Sequence, residues 1–391
     1  MSDHESEELD VLDDVVVTKY KMAAEVTNST CEFQLMLLLS EGVLSELIKL
    51  SLPGAKIVEL CKLGDQRIQD ESAKLFKREK TMKKGISYPT SISVNNIICH
   101  YSPIDGEENE IVELKDGAHI DGYAAVVGHT FVVGSSSDNK VTGRKADVII
   151  AANTAAEVAV RLLRSNYEVF SLHNPTVCAG MQSHQMRRMV YDAEKSIVLN
   201  PSEEHKKSIE KTNFELNEVW NIDILLSTGS GKPRDHKART TIYKKNETLY
   251  QLKMKSSRQL HSEIASKFLA YPFNIRALED LKKARLGITE CAKHDVVQAL
   301  PVYCEKDDEF VAQFRFTVLL MPNGPMRITG FPFDASLYKS EFKPRDAEVK
   351  VCLLMSSYFA KDILLQPIKT QNKKKKGAKP SSQSTGETDD H

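Results

Sequence analysis

The chain has 391 residues, enough to bury one large hydrophobic core or two of ordinary size. Its 41% hydrophobic and 27% charged residues are typical of a soluble globular protein. The longest apolar run, at residues 35–39, is too short to cross a bilayer, and the acidic N-terminal segment is not expected to be a secretory signal. Seven scattered cysteines without a CxxC pair argue against a zinc site and indicate reduced thiols.

The formal net charge of −1 hides three strongly charged segments. Residues 1–14 carry seven acidic residues and residues 366–380 carry six lysines, each without any opposite charge. Residues 1–14 and 366–391 are predicted to be disordered tails because they have few apolar residues to pack, and residues 15–365 to form the folded body. Residues 232–258 carry nine basic residues against two acidic ones, which predicts a local basic surface.

Helices are predicted through residues 18–84. Leu44, Leu47 and Ile48 recur at helical spacing, and Pro53 with Gly54 ends that pattern. A second helix is predicted over residues 57–61 and a third over residues 68–76.

Strands are predicted further along the chain. Residues 123–133 are apolar at nearly every position, as in a strand covered on both faces. Residues 310–320 alternate, with one apolar face and one mixed face that includes Gln313, Arg315 and Thr317. The mixed face can border a cleft.

A helical insert is predicted at residues 257–300, between strand-like segments. Leu260, Ile264 and Phe268 form one apolar stripe, residues 275–281 form another, and Gly287 is predicted to end it before a third short helix. The fold class is therefore α/β, of mixed α+β type, with a helical elaboration.

Residues 229–232, Gly-Ser-Gly-Lys, invite a phosphate-loop interpretation. That motif needs a glycine five residues before its Gly-Lys pair, and Leu226 stands there. A tight turn after a strand explains the segment better.

Three motifs resemble a known family. Residues 85–103, GISYPTSISVNNIICHYSP, look like the entry segment of type 2 methionine aminopeptidases. Residues 240–245, TTIYKK, and 310–329, FVAQFRFTVLLMPNGPMRIT, resemble the proliferation-associated, ErbB-receptor-binding branch of non-catalytic homologues. The similarity runs from about residue 15 to 345. It implies the pita-bread fold, two pseudo-symmetric α/β halves around a cleft, with a winged-helix-like insert at about residues 245–305.

The resemblance also implies a degenerate metal site. The enzymes of this superfamily hold two divalent metals with two Asp, one His and two Glu side chains, because anionic oxygens offset the mutual repulsion of the ions. The positions that match the second aspartate, the histidine and the two glutamates hold Val126, Met181, Asp223 and Arg315. We therefore expect no bound metal, no cofactor and no peptidase activity.

Other positions depart from the family as well. Asp121 matches the first aspartate only under a strained alignment, because a strand between residues 117 and 118 is missing from the pattern. His100 matches a retained substrate-side histidine, whereas Met189 stands where a second cleft histidine is expected. Residues 164–175 are shorter than the pattern and residues 28–42 look inserted. We interpret these departures as a splice form or a gene-sequence error, and losing a strand would expose backbone groups unless its neighbours shift register.

The family implies binding to structured RNA, rRNA and ribosomal particles, and to regulatory proteins of growth signalling and transcription, but not to membranes. It also implies a location in cytoplasm, nucleus and nucleolus, and a role in growth, rRNA processing, translation and transcription. Lysine side chains suit shape- and charge-driven RNA binding. The residues expected to contact RNA are all basic: Lys244, Lys245, Lys253, Lys255, Arg258, Lys373, Lys374, Lys375, Lys376 and Lys379.

Three alternatives remain open. The basic segments can be a solvated face and a solubilising or nuclear-targeting tail. The chain can be an active metal-dependent methionine aminopeptidase, which would require a bound metal. It can also be a scaffold whose cleft docks peptides, with binding insensitive to salt.

Overall fold

An antiparallel eight-stranded sheet organises the body of the protein. The computed structural model describes residues 14–28, 43–104, 113–163, 177–201 and 213–341, and of residues 113–119 the backbone alone. In spatial order the strands are β1 (Lys84–Ser93), β3 (Glu113–Ile120), β4 (Tyr123–Thr130), β14 (Val311–Met321), β8 (Val219–Ser227), β6 (Gln182–Met186) and β7 (Ser196–Val198), with β15 (Gly324–Arg327) also paired to β14.

Smaller sheets and six helices surround this sheet in the described ranges. The remaining strands are short: β2 (Ile97–Cys99), β5 (Val141–Thr142), β9 (Arg234–Asp235), β10 (Ile242–Lys245), β11 (Phe273–Asn274), β12 (Val297–Leu300), β13 (Tyr303–Cys304) and β16 (Tyr338–Lys339). The helices are α1 (Asp14–Asn28), α2 (Val43–Leu50), α3 (Ile57–Lys74), α4 (Gly143–Leu162), α5 (Lys255–Lys267) and α6 (Leu281–Lys293).

The apolar side chains of the strands face helices on one side of the sheet. Trp220 and Ile222 of β8 and Phe316 of β14 pack in one core with Ala152 of α4. Val127 of β4 lies in a second core with α2 and α3. The alternation predicted for residues 310–320 is confirmed, since β14 turns its apolar face to α4 and its mixed face to the other side.

The two helices predicted at residues 57–61 and 68–76 are one, because α3 runs without a break from Ile57 to Lys74. The prediction split them because residues 62–67 hold few apolar side chains, although Gly64 and Asp65 are buried there. Ile57, Leu60, Cys61 and Ile68 all lie in the same buried cluster. A continuous helix therefore buries both parts of the stripe.

Strand β3 occupies the place of the strand that is missing from the sequence pattern. It pairs with β1 on one side and β4 on the other, with Gly117 opposite Val126 and Ala118 opposite Ala125. The residues that flank the shortened segment thus form the strand themselves. This closes the ladder, so β1 and β4 do not expose backbone groups that would be costly to bury unpaired.

The insert is a small layer with its own core. β10 lies between β11 and β12, and α5 and α6 pack on this three-stranded sheet around Leu260, Ile264 and Ile288. The predicted helix end at Gly287 is wrong, because Gly287 lies inside α6. A Cβ there would come within 3.1 Å of the Ser256 backbone, so glycine permits the close approach of α5 and α6.

A buried ion pair joins the insert to the body. The Nε of Arg276, in the turn after β11, lies 2.9 Å from Oδ2 of Asp65 on α3. The other carboxylate oxygen of Asp65 accepts a hydrogen bond of 2.7 Å from the backbone N–H of Thr90 on β1. Arg276 also donates to the carbonyl oxygen of Thr90 and to the hydroxyl of Ser102.

Breaking this pair should destabilise the protein. Asp65→Asn or Arg276→Met leaves a buried partner without its counter-charge, which costs about 3–5 kcal/mol of unfolding free energy. Urea denaturation followed by circular dichroism would measure the loss. Lys283→Met, which breaks the exposed pair with Asp280, is the matched control and should leave the midpoint unchanged. Equal effects from the buried and exposed pairs would contradict the structural role.

Candidate functional site

The mixed face of β14 carries a polar cluster at the centre of the sheet. Arg315 stands opposite Asp223 of β8 and Gly128 of β4 in the strand register. The backbone N–H of Val126 donates 3.0 Å to the hydroxyl of Thr317, two residues along β14. Directly opposed residues and those two positions away share a face, so Val126, Asp223 and Arg315 lie together on the side away from the helices.

Arg315 is a buried cation held by polar and aromatic groups. Its Nε donates 2.9 Å to Oδ1 of Asn221 and lies 3.8 Å from Oδ2 of Asp223, while Nη2 donates to the hydroxyl of Tyr191. The guanidinium carbon lies 5.1 Å from the ring centroid of Tyr88 and 5.8 Å from that of Tyr191. Burial alone would lower the pKa of Arg315, but the neighbouring tyrosines and Asp223 raise it above its ordinary value, so the side chain stays charged.

Asp223 is oriented by neighbours on two strands, β14 and β6. Its Oδ1 accepts a hydrogen bond from Nε2 of Gln313. Its backbone N–H donates 2.9 Å to the hydroxyl of Ser183 on β6. The carboxylate is therefore already engaged by Gln313 and Arg315, and it is the only carboxylate among the side chains that contact Arg315 in the described residues.

His184 of β6 enters the cluster beside Asn221. The amide nitrogen of Asn221 lies 3.0 Å from Nε2 of His184, and the imidazole ring centroid is 5.0 Å from that of Tyr191. Burial, together with the positive charge of Arg315, lowers the pKa of His184 to about 4. The imidazole is therefore neutral near pH 7.

Two tyrosines form an aromatic wall around the guanidinium. The rings of Tyr88 and Tyr191 stack with centroids 6.0 Å apart and an interplanar angle of 21°. The hydroxyl of Tyr88 lies 2.7 Å from Nδ1 of His100, which adopts a left-handed backbone conformation with φ of 63°. Burial raises the pKa of Tyr191 to about 12, and the phenol stays protonated.

Three other residues singled out by sequence lie away from this cluster. Met181 packs against the hydrophobic core on the helix side. Asp121 lies in the turn between β3 and β4, 2.7 Å from Nζ of Lys19 and 3.0 Å from Nη2 of Arg188. Partial burial tends to raise the pKa of Asp121, but the hydrogen bonds from these two cations outweigh it and lower the pKa. Met189 packs against Gly122 in the same turn.

The residues at the metal positions do not fit a pair of divalent cations. Within the described ranges there is no group of three or more His, Cys, Asp or Glu side chains placed to hold a metal. Val126 offers no ligand atom, and the fixed charge of Arg315 repels a cation by about 4 kcal/mol at 4 Å and an effective dielectric of 20. We therefore derive no metal-dependent chemistry from these side chains.

Sequence inspection missed the residues that complete the cluster. Tyr88, Tyr191 and Asn221 come from two strands and one loop that are distant in the chain. One signal was present, since Asn221 and Asp223 are two residues apart in an otherwise apolar strand. Such spacing places both polar side chains on one face.

The basic residues predicted to bind RNA divide into two groups. Lys253, Lys255 and Arg258 are exposed near the start of α5, and Lys245 is half-buried on β10. Lys244 forms an ion pair with Asp192, and Arg258 donates to the carbonyl oxygens of residues 252 and 253. Five predicted residues, all lysines of the C-terminal tail, lie outside the described residues: Lys373, Lys374, Lys375, Lys376 and Lys379.

Exposed apolar and aromatic groups accompany these basic residues. Leu249 is 99% exposed in the segment before α5. The ring of Tyr250 stacks on that of His294, with centroids 3.9 Å apart and planes within 9°. Tyr250 keeps 38% of its surface exposed, so its outer edge remains accessible.

No helix in the described part of the chain is both long and apolar enough to span a membrane.

Comparisons with known proteins show where the chain has relatives. Residues 37–189 match the pattern of Metallopeptidase family M24. ErbB-3 binding protein 1 of Solanum tuberosum is 42% identical over 97% of this chain and 96% of its own length. The curved DNA-binding protein of Schizosaccharomyces pombe is 35% identical over 93% of each chain. A solved structure of a thermophilic Arx1 matches with a TM-score of 0.75 at 28% identity, covering 87% of this chain and 98% of the other. The expected pita-bread fold is confirmed.

The buried neutral imidazole predicts how stability depends on pH. The pKa of His184 falls from about 6.5 in the unfolded chain to about 4 in the folded protein. Between these values only the unfolded chain binds the proton, so the unfolding free energy falls as pH drops from 6.5 to 4 and His184 adds no further loss below 4. This contribution is on the order of 1–3 kcal/mol.

Urea midpoints at pH 7 and pH 5 would measure this dependence. His184→Gln keeps an acceptor for Asn221 and should make the pH dependence less steep, leaving the part that comes from buried His129, whose pKa burial lowers to about 3. His294→Gln, on the insert, serves as the control and should leave it unchanged. A variant at His184 with the slope of the unmodified protein would show that another group causes it.

Proposed function

Because the chain belongs to the ErbB-3 binding protein 1 family of proliferation-associated proteins, we propose that it binds structured RNA and ribosomal particles and has no peptidase activity. It would act in growth control through rRNA processing, translation and transcription, in the cytoplasm, nucleus and nucleolus. Regulatory proteins of growth signalling and transcription would be its other partners.

The exposed basic surface of the insert carries this proposal. Lys253 and Lys255 project from the start of α5 without a carboxylate partner among the described residues, and Lys282, Arg285 and Lys293 are exposed on α6. Cations that have no intramolecular partner are available to neutralise phosphates and release counterions. We refer to these five residues as the insert basic surface.

Aromatic groups next to this surface favour RNA over a generic polyanion. Single-stranded segments present bases that stack on aromatic rings, while lysines contact the backbone. The Tyr250–His294 pair and the exposed Leu249 lie in the segments that lead into α5 and follow α6. The name of the Schizosaccharomyces pombe relative, a curved DNA-binding protein, also supports a nucleic-acid ligand for this fold.

Neutralising the insert lysines should weaken RNA binding and its salt dependence. One variant replaces three lysines of the insert basic surface, Lys253, Lys255 and Lys282, by Gln. If all three lysines neutralise phosphates, the slope of log Kd against log salt falls by roughly 2–3, at about 0.7–0.9 for each phosphate that is no longer neutralised. Gel-shift titrations of an rRNA hairpin at four salt concentrations would measure both quantities.

The matched control removes the same charge elsewhere. Lys77, Lys80 and Lys140 are exposed on the body, and their replacement by Gln should leave the slope nearly unchanged. A separate variant with Lys373–Lys376 replaced by Ala tests the tail. If neither the insert nor the tail variant changes affinity or slope, the basic segments are solvated surface and the proposal fails.

The absence of peptidase activity is directly testable. Purified protein supplied with Mn²⁺, Co²⁺ or Fe²⁺ should release no methionine from a Met-Ala-Ser peptide, because Arg315 and Val126 stand where ligands are needed. An active type 2 methionine aminopeptidase in the same assay is the positive control. Metal-dependent release that survives Asp223→Asn would point to a contaminant, whereas release abolished by it would make the chain an enzyme.

A further inference from the structure

The guanidinium of Arg315 has more donors than the protein uses. Its Nε–H donates to Asn221 and one N–H of Nη2 donates to Tyr191. Both N–H groups of Nη1 and the second of Nη2 have no acceptor among the described residues. One N–H of Nη1 and one of Nη2 point along the terminal edge of a guanidinium, and such a pair binds two oxygens of one carboxylate in parallel. The side chain keeps 7% of its surface exposed, so this edge is not sealed.

Two further donors belong to residues of the same cluster. The hydroxyl oxygen of Tyr191 accepts from Arg315, so its own proton points elsewhere, and the described part of the chain supplies no acceptor for it. The amide of Asn221 is oriented by Arg315, which donates to Oδ1, and therefore Nδ2 donates to Nε2 of His184. That places the imidazole proton on Nδ1, which is buried and unpartnered within the described residues.

We propose that Arg315, Tyr191 and His184 form a receptor for a carboxylate, supplied by the C-terminus or an acidic side chain of a peptide. An unpaired buried donor such as Nδ1–H of His184 is costly, and incoming acceptor oxygens would satisfy the open donors of this cluster. Tyr88 and Tyr191 line the guanidinium with apolar ring surface, which strengthens a charge-assisted hydrogen bond by excluding water. This binding site is separate from the insert basic surface and does not depend on RNA binding.

The charge of the cluster favours a carboxylate over a phosphate. Asp223 lies 3.8 Å from Nε of Arg315, on the edge opposite Nη1, and offsets part of the positive charge. A doubly charged phosphate would meet stronger repulsion from Asp223 than a singly charged carboxylate. The described residues offer no second cation in contact with Arg315 that would compensate it.

The experiment uses the full chain with ¹⁵N-labelled arginine and three short peptides of matched size. The probes are N-acetyl-Gly-Leu-Gly with a free C-terminus, the same peptide amidated, and amidated N-acetyl-Gly-Glu-Gly. The Arg315 Nε–H signal, assigned by its loss in Arg315→Lys, should shift saturably with the first or third peptide and not with the second. Which of the two shifts it identifies the carboxylate as terminal or side-chain.

Two variants test whether binding depends on the individual hydrogen-bond donors and not only on the positive charge of residue 315. Arg315→Lys keeps the cation but loses the parallel donors, and calorimetry should show binding weakened by about tenfold or more. Tyr191→Phe removes one donor, leaves the guanidinium in place and should weaken binding by a smaller factor. Arg67→Gln, at an exposed arginine paired with Glu46, should bind like the unmodified protein. Melting curves would confirm that each variant is folded.

Several results would overturn the proposal. If the Arg315 Nε–H signal shifts equally with the amidated peptide, the site binds the peptide backbone and not a carboxylate. If it shifts with inorganic phosphate alone, the site binds phosphate. The absence of a saturable shift, or unchanged affinity in Arg315→Lys, would mean that Arg315 only fills the former metal position. RNA affinity should be the same in Arg315→Lys and the unmodified protein, so this proposal and the RNA-binding proposal can fail separately.

Discussion

A charged guanidinium buried at the centre of a β-sheet is the constraint on which this site depends. Removing such a group from water costs several kcal/mol, so it persists only where neighbours return hydrogen bonds and opposite charge. Arg315 obtains these from Asn221, Tyr191 and Asp223, and from the faces of two tyrosine rings. Asn221 also contacts His184 and Asp223 also accepts from Gln313, which makes the cluster a network and not a single pair.

The same network does not fit a pair of divalent cations in the described residues. A divalent pair needs several anionic oxygens, whereas this face presents one carboxylate that Gln313 and Arg315 already engage. Arg315 instead places a positive charge of the polypeptide itself on this face. Such a cation cannot activate water, but it can hold an anion, which is the basis of the carboxylate-binding proposal.

The insert and the body meet through a second buried ion pair with a different purpose. Arg276 reaches from the turn after β11 to Asp65 on α3, and Asp65 also accepts from the backbone of β1. This fixes the orientation of the insert, and with it the insert basic surface, relative to the sheet. The inner cluster and the outer basic surface are therefore held by one framework while presenting different chemistry, donors for a buried carboxylate inside and solvated cations for phosphates outside.

The sequence alone determined the features that arise from local pattern. Alternation predicted β14 with its mixed face, helical spacing predicted α2 and α5, and long motifs identified the family and its pita-bread fold. Tertiary structure decided the rest. It joined two predicted helices into α3, placed Gly287 inside α6 and formed β3 from the residues on either side of the strand that is missing from the family pattern. It also brought Tyr88, Tyr191 and His184 to Arg315, because pairing between strands distant in the chain sets which side chains meet, and no local periodicity records that pairing.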